Sequence, residues 1–582
     1  MAECILFKKE VLGLDGAQII KNAIIKNKLQ RVFVYPGGTI APIIDALNNE
    51  GIGVFCARHE QGAAYAALAV ARITGCPQVV LVTSGPGVTN VLTSIADAYF
   101  DSIPLILITG QVATADLSGP SLPVRQRGFQ EVNTVSIMKS VTKAQFLVKD
   151  VLHLEKALEE AFFISQEGRP GPVVIDIPMD VQRGNINNSL TNINRQDKIN
   201  NKKNLKWIDA ESIEQVKNKI CSATRPVIIA GQGLLTAKAH EEFREFVDKT
   251  NIPVSHSLLG LGAYPTQSPI AIGFHGHTGN RYANKTIYEA DLVLVLGSRL
   301  DIRQTGSCYD QFSPQAYVIR VDIDEGEIGS SRIKTDFSLC TDVKIFLSQL
   351  NKSLNDITIP EWAEWWDCIN KWRTDYPLTY RDDDKVKPQS IIEITNDLTE
   401  NSPVVCISGV GSHQQWVARH FDFDYPERIW LTSGGHGAMG FDLPAAIGAQ
   451  LACPDKMVIC FVGDGSLQMN IQELATIAEY NLPIKIIVLD NKRLAMVSQF
   501  QMLNWGEDPT CGNKTNPPFA DLASVYGLRG YLVDNNQESL AILKEALFFN
   551  GPCLVHCIVD ENEDVIPMLL GGQPMSKMWP YE

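Results

Sequence analysis

Short apolar runs alternate with amphipathic or small-residue stretches along most of this chain, at the spacing expected of strands and helices. Residues 32–35 form an apolar run ending in Pro36-Gly37-Gly38, and residues 41–47 follow with helical periodicity. Residues 54–57 read as the next strand and deliver Arg58-His59-Glu60, ahead of a small-residue helix at 63–73. A strand at 79–83 runs into Ser84-Gly85-Pro86-Gly87, and strands at 105–109 and 173–177 complete the block. Alternation of this kind predicts a doubly wound parallel sheet with helices on both faces.

At 184–206 the composition turns Asn- and Lys-rich with few apolar anchors, as an interdomain linker would. A middle block then shows strands at 226–230, 292–296 and 318–322. They end at Gly231-Gln232-Gly233, Gly297-Ser298-Arg299 and Asp322-Ile323-Asp324. A segment rich in tryptophan (Trp362, Trp365, Trp366, Trp372) and a charged stretch at 381–387 lead to the last block. At 582 residues the chain is too long for one hydrophobic core. The expected fold class is α/β, with three doubly wound parallel-sheet domains at 1–183, 207–350 and 388–582, joined by linkers at 184–206 and 351–387. The first and last blocks alternate alike, although periodicity alone does not make them duplicates.

The last block carries the densest chemistry. A strand at 457–462 leads into Gly463-Asp464-Gly465-Ser466, and one at 484–489 leads out to Asp490-Asn491-Lys492-Arg493. Asp464 and Asn491 therefore stand just past the carboxyl ends of two strands, where open parallel sheets bind ligands. Their hard oxygen donors suit Mg²⁺ held with a diphosphate. Glycines allow close backbone approach, and a helix N-terminus offers free N–H groups. A solvated turn with a capping acid is the plainer alternative. Glu60, at another strand end, reads by itself as a helix-capping carboxylate. Gly435-His436-Gly437-Ala438-Met439-Gly440 fits G-x-G-x-x-G with Asp464 downstream, so a NAD-type dinucleotide domain is a rival class. That rival leaves Asn491 unexplained. In the middle block Gly231, Gly233, Phe274, His275, Arg299, Asp301, Arg303, Asp322 and Asp324 gather near strand ends, to hold a nucleotide or simply to serve structure.

The formal charge of -15, with no long basic run, argues against nucleic-acid binding. The 13 cysteines include no C-x-x-C pair, which suits reduced thiols in a cytoplasmic protein. The first residues, with Lys8, Lys9 and Glu10, hold no signal-peptide core, and no apolar run approaches the roughly 18 residues of a membrane span.

Read in order, a set of motifs points further: Tyr35-Pro36-Gly37-Gly38, Arg58-His59-Glu60-Gln61-Gly62-Ala63, Thr83-Ser84-Gly85-Pro86-Gly87, Asp101-Ser102-Ile103-Pro104 and Phe129-Gln130-Glu131. Asp322-Ile323-Asp324, Glu327-Ile328-Gly329, Gly409-Val410-Gly411 and the stretch from Gly463 to Asn491 complete it. On these motifs the chain resembles the thiamine-diphosphate enzymes, and among them the acetohydroxyacid (acetolactate) synthase catalytic subunits, over nearly its whole length. The resemblance implies a pyrimidine-binding first domain, a diphosphate-binding last domain and a central FAD-binding-like domain. It implies Mg²⁺ on Asp464, Asn491 and the Arg493 carbonyl. The thiamine diphosphate would lie against Gly409, Gly411, Ser412, His413, Gly437, Ala438, Gly463, Gly465, Ser466 and Met496, and against Pro36, Gly37, Gly38 and Gly85. Glu60 would bond the pyrimidine N1′, Met439 would prop the bent cofactor, and Gln130 would join them in catalysis. The middle set would hold a structural FAD. Thr39, Phe129, Lys143, Ile302 and Phe500 would meet substrate or acceptor. The partners implied are small molecules and a second copy of the chain, in a homodimer or homotetramer whose sites take Glu60 from one subunit and Asp464 from the other.

The implied reaction is decarboxylation of pyruvate and transfer of a two-carbon acetyl-anion equivalent to a carbonyl. Departures from the synthase pattern cluster on the acceptor side. Phe500 stands for a usual Trp, Ala495 and Asp442 for Gly, His436 for Leu, Thr39 for Ala, and Leu300-Asp301-Ile302-Arg303 for Phe-Asp-Asp-Arg, and the segment from Leu122 to Arg127 diverges too; in the diphosphate pocket Ser412 stands for Gln. A roomier, more polar acceptor pocket follows from them, so the expected acceptor is a ketone such as a nucleotide-linked keto sugar, as in the branched-chain-sugar (yersiniose-type) carboligases. The alternative is acetolactate synthesis from two 2-oxo acids.

Overall fold

The computed structural model describes residues 14–48, 51–119, 124–186, 207–330, 332–355, 357–381, 383–509, 511–512 and 515–581. The chain divides into two compact units, residues 1–203 and 204–582. Of the expected linker at 184–206, residues 187–206 lie outside the described set.

In the first unit a short antiparallel pair, β1 (Leu14–Asp15) with β8 (Asn185–Ile186), joins the two ends of the domain. Between them run β2 (Arg31–Val34), β3 (Gly53–Cys56), β4 (Gln78–Val82), β5 (Leu105–Gln111), β6 (Ala144–Leu147) and β7 (Val173–Pro178). They form one parallel sheet in the order β3-β2-β4-β5-β7-β6. Strands β4, β5 and β7 are buried along their whole length, which is why they read as unbroken apolar runs. The helix Glu60–Thr74 is capped at its start by His59 and closed by Gly75 in the left-handed conformation. Residues 62–71 of this helix are buried almost without exposure, so only small side chains such as its alanines fit at most positions.

The second unit holds two parallel sheets. The middle one contains β9 (Pro226–Ala230), β10 (Val254–His256), β11 (Ala271–Phe274), β12 (Leu292–Leu296), β13 (Tyr317–Asp322) and β14 (Phe337–Cys340), in the order β11-β10-β9-β12-β13-β14. The last contains β15 (Val404–Ser408), β16 (Arg428–Leu431), β17 (Met457–Gly463), β18 (Lys485–Asp490), β19 (Arg529–Val533) and β20 (Cys553–Ile558), in the order β16-β15-β17-β18-β20-β19. Three doubly wound domains are thus present. Counted within each sheet, the first and last share the order 2-1-3-4-6-5, a likeness that alternation alone could not establish. The middle sheet runs 3-2-1-4-5-6, the order of dinucleotide-binding folds.

That difference removes the NAD rival from the last domain. A dinucleotide fingerprint belongs after the first strand of a 3-2-1-4-5-6 sheet, at the point where strand order reverses. Gly435 to Gly440 instead follow β16, the edge strand of a 2-1-3-4-6-5 sheet.

Residues 351–387 do not form the expected linker throughout, because they include the helix Ala363–Asp375. Trp365 and Ile369 of that helix join the middle core. The indole N–H groups of Trp362, Trp365 and Trp366 donate to the carbonyls of Ala223, Pro226 and Asn251 at 3.0, 3.0 and 3.1 Å. The chain's end also returns to this domain, with Leu569, Met575 and Met578 in its core. The 12 described cysteines are free, and no described helix is long and apolar enough to cross a membrane.

Candidate active site

In the first unit the strand order reverses between the paired strands β2 and β4, with Pro36, Gly37 and Gly38 after one strand and Ser84 and Gly85 after the other. The two turns are knotted together. Thr39 Oγ1 shares a hydrogen bond with Thr83 Oγ1 at 2.8 Å and accepts from the Ser84 N–H at 3.0 Å. The Thr39 hydroxyl, expected to face an acceptor, is therefore spent on the turn. Ser84 Oγ is fully buried and has no hydrogen-bond partner among the described residues. Gly85 has φ +63°, and a Cβ there would lie 2.8 Å from Gln130 Cβ, so the crossing requires glycine. Gln130 is itself held at φ 63°, and its neighbour Phe129 is 84% exposed.

Two carboxylates fix the segment carrying Phe129 and Gln130. Glu131 accepts from the Ser118 N–H and Oγ–H at 2.5 and 2.9 Å and from the Arg127 N–H at 2.7 Å. Burial works to raise its pKa, but these bonds win and hold it below the usual carboxylate range. Asp176 anchors the other end. It accepts from Thr109 Oγ1 at 2.6 Å and from Gln111 Nε2 at 2.9 Å, and Gln111 Nε2 also reaches the Val132 carbonyl at 2.9 Å. Here burial outweighs the hydrogen bonds and pushes Asp176 up to about 6.

Glu60 is 4% exposed at the first position of its helix, beside the His59 cap. Asn90 Nδ2 donates to its Oε2 at 3.0 Å, a partner that the sequence did not announce. Lys143 is placed elsewhere. It precedes β6, at the amino end of the strands, and its Nζ donates to the Ile164 and Glu167 carbonyls at 2.6 and 2.5 Å. There it caps the last turn of the helix Leu154–Gln166, so it is not among the residues gathered at the carboxyl ends of β2 and β4.

In the last sheet the strand order reverses between the paired strands β15 and β17, and most of the expected diphosphate residues meet past their carboxyl ends. Gly409 and Gly411 end β15's loop, and Ser412 and His413 begin the helix Ser412–His420. Gly463 ends β17, and Asp464, Gly465 and Ser466 start the helix Asp464–Met469. A Cβ on Gly463 would lie 3.0 Å from His413 Nδ1, so the two turns touch. Ser412 Oγ and His413 Nε2 are buried without hydrogen-bond partners among the described residues. Buried polar atoms are ordinarily paired, so two orphans in adjacent residues point to a ligand with oxygen acceptors.

Asp464 and Asn491 are both buried. Asn516 Nδ2 donates to Asp464 Oδ2 at 2.7 Å and to Asp490 Oδ1 at 2.8 Å, while Asp490 Oδ2 accepts from His556 Nε2 at 2.9 Å. Burial works to raise Asp490, but His556 and Asn516 hold it below the ordinary range. Asn491 Oδ1 accepts from the Arg493 N–H at 3.3 Å, and the Arg493 guanidinium pairs with Asp564 at 2.6 Å. A carboxylate, an amide oxygen and the Arg493 carbonyl are thus hard donors past the ends of the neighbouring strands β17 and β18. Met439 is half-buried in the loop after β16, with the Gly437 and Ala438 N–H groups both donating to Ser433 Oγ at 3.0 and 3.1 Å. Met496 and Phe500 lie on the helix Ala495–Trp505; Phe500 is 53% exposed and stacks edge-on against Trp505 at 5.6 Å.

The middle-domain set divides. Gly231 and Gly233 pack backbone to backbone on Gly297, with a Gly231 Cβ falling 2.1 Å from the Gly297 carbonyl oxygen, which is a packing role. Asp301 caps the helix Ile302–Thr305 and Asp324 caps Glu325–Gly329, while Asp322 Oδ1 takes the Asp324 N–H at 3.0 Å. Arg299 faces Asp301 at 3.7 Å, and Ile302 and Arg303 are exposed. His275, just beyond Phe274, bonds Ser255 through Nδ1 at 2.9 Å and leaves Nε2 without a hydrogen bond. Burial drives its pKa down to about 4, so it is a neutral imidazole.

The comparisons agree with the three-domain layout. Residues 14–137 match the N-terminal TPP binding domain of thiamine pyrophosphate enzymes, 213–350 the central domain and 409–557 the C-terminal TPP binding domain. The chain is 38% identical over 592 residues to the acetolactate synthase isozyme 3 large subunit of Escherichia coli, covering 97% of this chain and 98% of that one. It is 37% identical over 584 residues to the acetolactate synthase large subunit of Cyanidium caldarium, covering 98% of each. It is also 36% identical to the mitochondrial acetolactate synthase of Schizosaccharomyces pombe, over 100% of this chain and 88% of that protein.

Asp176 yields a pH test. Its folded pKa of about 6 exceeds the ordinary value of 3.8, so between those values the folded chain keeps a proton that the unfolded chain has lost. Stability from this group is therefore greatest at low pH and falls as pH rises through the window, by about 3 kcal/mol in all. In urea unfolding from pH 4 to 7, Asp176→Asn should gain on the parent by about that amount. Parallel profiles for the two proteins would remove the burial argument.

Proposed function

We propose that this chain, which belongs to the thiamine-diphosphate-dependent acetolactate synthase family, decarboxylates pyruvate and joins the two-carbon unit to a second 2-oxo acid. Its membership makes it a carbon–carbon bond-forming enzyme; the acceptor is our reading. The observation that carries the reading is the corner past the carboxyl ends of the paired strands β15 and β17, where the strand order reverses and Ser412 Oγ and His413 Nε2 are buried and orphaned beside Gly463-Asp464. Full-length similarity to chains named acetolactate synthases supports the two-oxo-acid alternative over the expected keto-sugar acceptor. The polar departures that suggested a keto sugar are largely spent internally. Thr39 is bound to Thr83 and Ser84, Asp301 caps a helix, and Asp442 accepts from Ser466.

Bound thiamine diphosphate supplies a thiazolium carbon that adds to the pyruvate ketone and a ring that accepts the electrons left by CO₂. The protein's part is to hold and orient. Ser412 and His413 would donate to diphosphate oxygens, and Asp464, Asn491 and the Arg493 carbonyl would hold Mg²⁺. Glu60 would keep a proton at the pyrimidine N1′, and its burial keeps water from competing for it. Met439 would support the cofactor from below. On the family pattern Glu60 and Asp464 would come from different copies, which would make a homodimer the smallest active unit.

We read the middle domain as a site for FAD in a structural role. Its 3-2-1-4-5-6 order and the orphaned His275 Nε2 support that reading, while the glycines and capping acids serve the fold. The purified protein should show a flavin absorption spectrum and release free flavin on heating. A colourless protein with full activity would end the FAD assignment.

Labelled pyruvate given alone should yield acetolactate and CO₂ in a reaction requiring both thiamine diphosphate and Mg²⁺. Glu60→Gln should slow it by at least about 100-fold. Turnover unaffected by that change, or product formed only when a keto sugar is supplied, would overturn the reading. Asn516 gives an independent check on the metal. Asn516→Ala removes one restraint on the Asp464 carboxylate and should weaken Mn²⁺ binding, followed by electron paramagnetic resonance, by about 10- to 100-fold. Unchanged affinity would mean that Asn516 does not orient Asp464.

A further inference from the structure

Asp442 is fully buried at the start of the helix Asp442–Ala452, beside the turns that follow β15 and β17. Its Oδ1 accepts from its neighbour's N–H, Leu443, at 2.9 Å, and its Oδ2 accepts from Ser466 Oγ at 2.6 Å. A hydroxyl that gives its proton to a carboxylate keeps its lone pairs for other donors. Ser466 Oγ uses one to accept the Gly440 N–H at 2.8 Å. The Gly440 carbonyl is held as well, by Asn470 Nδ2 at 2.7 Å. Gly440 has φ +82°, and a Cβ would stand 2.9 Å from both Asn470 Nδ2 and Met469 Cβ, so the peptide is clamped on every side. Met439 immediately precedes it. The height of Met439 is thus tied to Ser466 and Asn470, which follow Asp464 in the same turn and helix.

Asp442 also shapes the opposite wall. A Cβ on Gly409 would fall 1.9 Å from Asp442 Oδ2, so β15's loop closes down on the carboxylate. His413 Nε2 stands 3.8 Å from the same oxygen, too far for a hydrogen bond. One buried carboxylate therefore touches the loop of β15, the helix after β17 and, through Ser466, the Met439 turn. A glycine at 442, as in the synthase pattern, would leave the Ser466 hydroxyl without this acceptor.

We propose that Asp442 is a positioning residue: by fixing the Ser466 hydroxyl it sets Met439 against the diphosphate cradle, and so sets the bend of the bound cofactor. The proposal rests on the thiamine-diphosphate reading above and names how this chain holds that site.

The test compares Asp442→Gly, Asp442→Asn, Ser466→Ala and the Asp442→Gly/Ser466→Ala pair with the parent. It measures kcat and KM for pyruvate, thiamine diphosphate affinity by calorimetry, near-ultraviolet circular dichroism of the bound cofactor, and the melting temperature. Asp442→Gly should lower kcat by about 10- to 100-fold, with KM and cofactor affinity little changed and the dichroism of the bound cofactor altered; Ser466→Ala, at a residue expected to touch the cofactor, should lower kcat at least as much and alter the same dichroism. Asp442→Asn, whose amide oxygen still accepts from Ser466, should recover part of kcat. The double variant should be no worse than the poorer single one, because both act through one hydrogen bond. Additive losses, an Asn variant no better than Gly, or a fall in melting temperature with kcat and dichroism unchanged would overturn the proposal. Where Asp442→Gly does not fold, undiminished kcat in Ser466→Ala overturns it alone. A parent protein that binds no thiamine diphosphate overturns the functional reading and this proposal together, whereas a parent that binds it with variants failing as described overturns only the proposal.

Discussion

Ser412 Oγ and His413 Nε2 are held in a buried corner where no group of the described chain gives them a hydrogen bond. A buried polar atom left unmatched costs about 1–3 kcal/mol, so the fold maintains this corner against its own stability. The maintenance is visible around it. Strands β15 and β17 are buried on both faces and fix the two turns at a set distance. The His413 ring rests against Gly463, and Gly409 leaves room for Asp442. Ser84 Oγ repeats the device past the ends of β2 and β4 in the first unit. Both sheets share one strand order, so the same topological position carries an unmet polar atom in each.

Within the second unit, the corner is braced through the chain's end. Arg419, near the end of the helix that starts at Ser412, is half-buried. Its guanidinium donates to the Thr278, Ile566 and Pro567 carbonyls. Burial lowers its pKa to about 9, which leaves it charged at neutral pH and paired with carbonyl dipoles. Removing such a group would strand several carbonyls at once. The C-terminal segment so anchored also exchanges two hydrogen bonds, both 3.0 Å, between Gln499 and the Val565 backbone. The helix carrying Met496 and Phe500 is thereby fastened to the segment that Arg419 ties to the middle domain.

What could be read from sequence follows from how local the signal is. Asp464 and Asn491 were legible because strand, turn and polar residue are contiguous, and a strand end is a position that sequence can name. Asn516 meets Asp464 from 52 residues away and His556 meets Asp490 from 66, and nothing local distinguishes either from an ordinary polar residue. Lys143 and the segment 351–387 misled for a related reason. A charge beside a strand does not reveal which end of the strand it occupies. A run of tryptophans does not reveal that its partners are carbonyls more than 100 residues earlier.

The same reasoning bears on the acceptor. A polar residue changes specificity only if its donors and acceptors are free to meet substrate, and the burial of Asp442 and the bonded state of Thr39 take both out of that account. On the helix Ala495–Trp505 of the second unit the apolar Val497, Phe500, Met502 and Trp505 are exposed together with the polar Asn504; in the first unit Phe129 is exposed beside Arg127. Apolar walls discriminate by size, at about 1–3 kcal/mol per methylene, and give a sugar hydroxyl nothing to bond. On the proposed reading, the small alkyl group of a 2-oxo acid would suit the apolar side chains of that helix. The substitutions that first suggested polarity are thus better understood as parts of the scaffold behind the cofactor than as contacts to the second substrate.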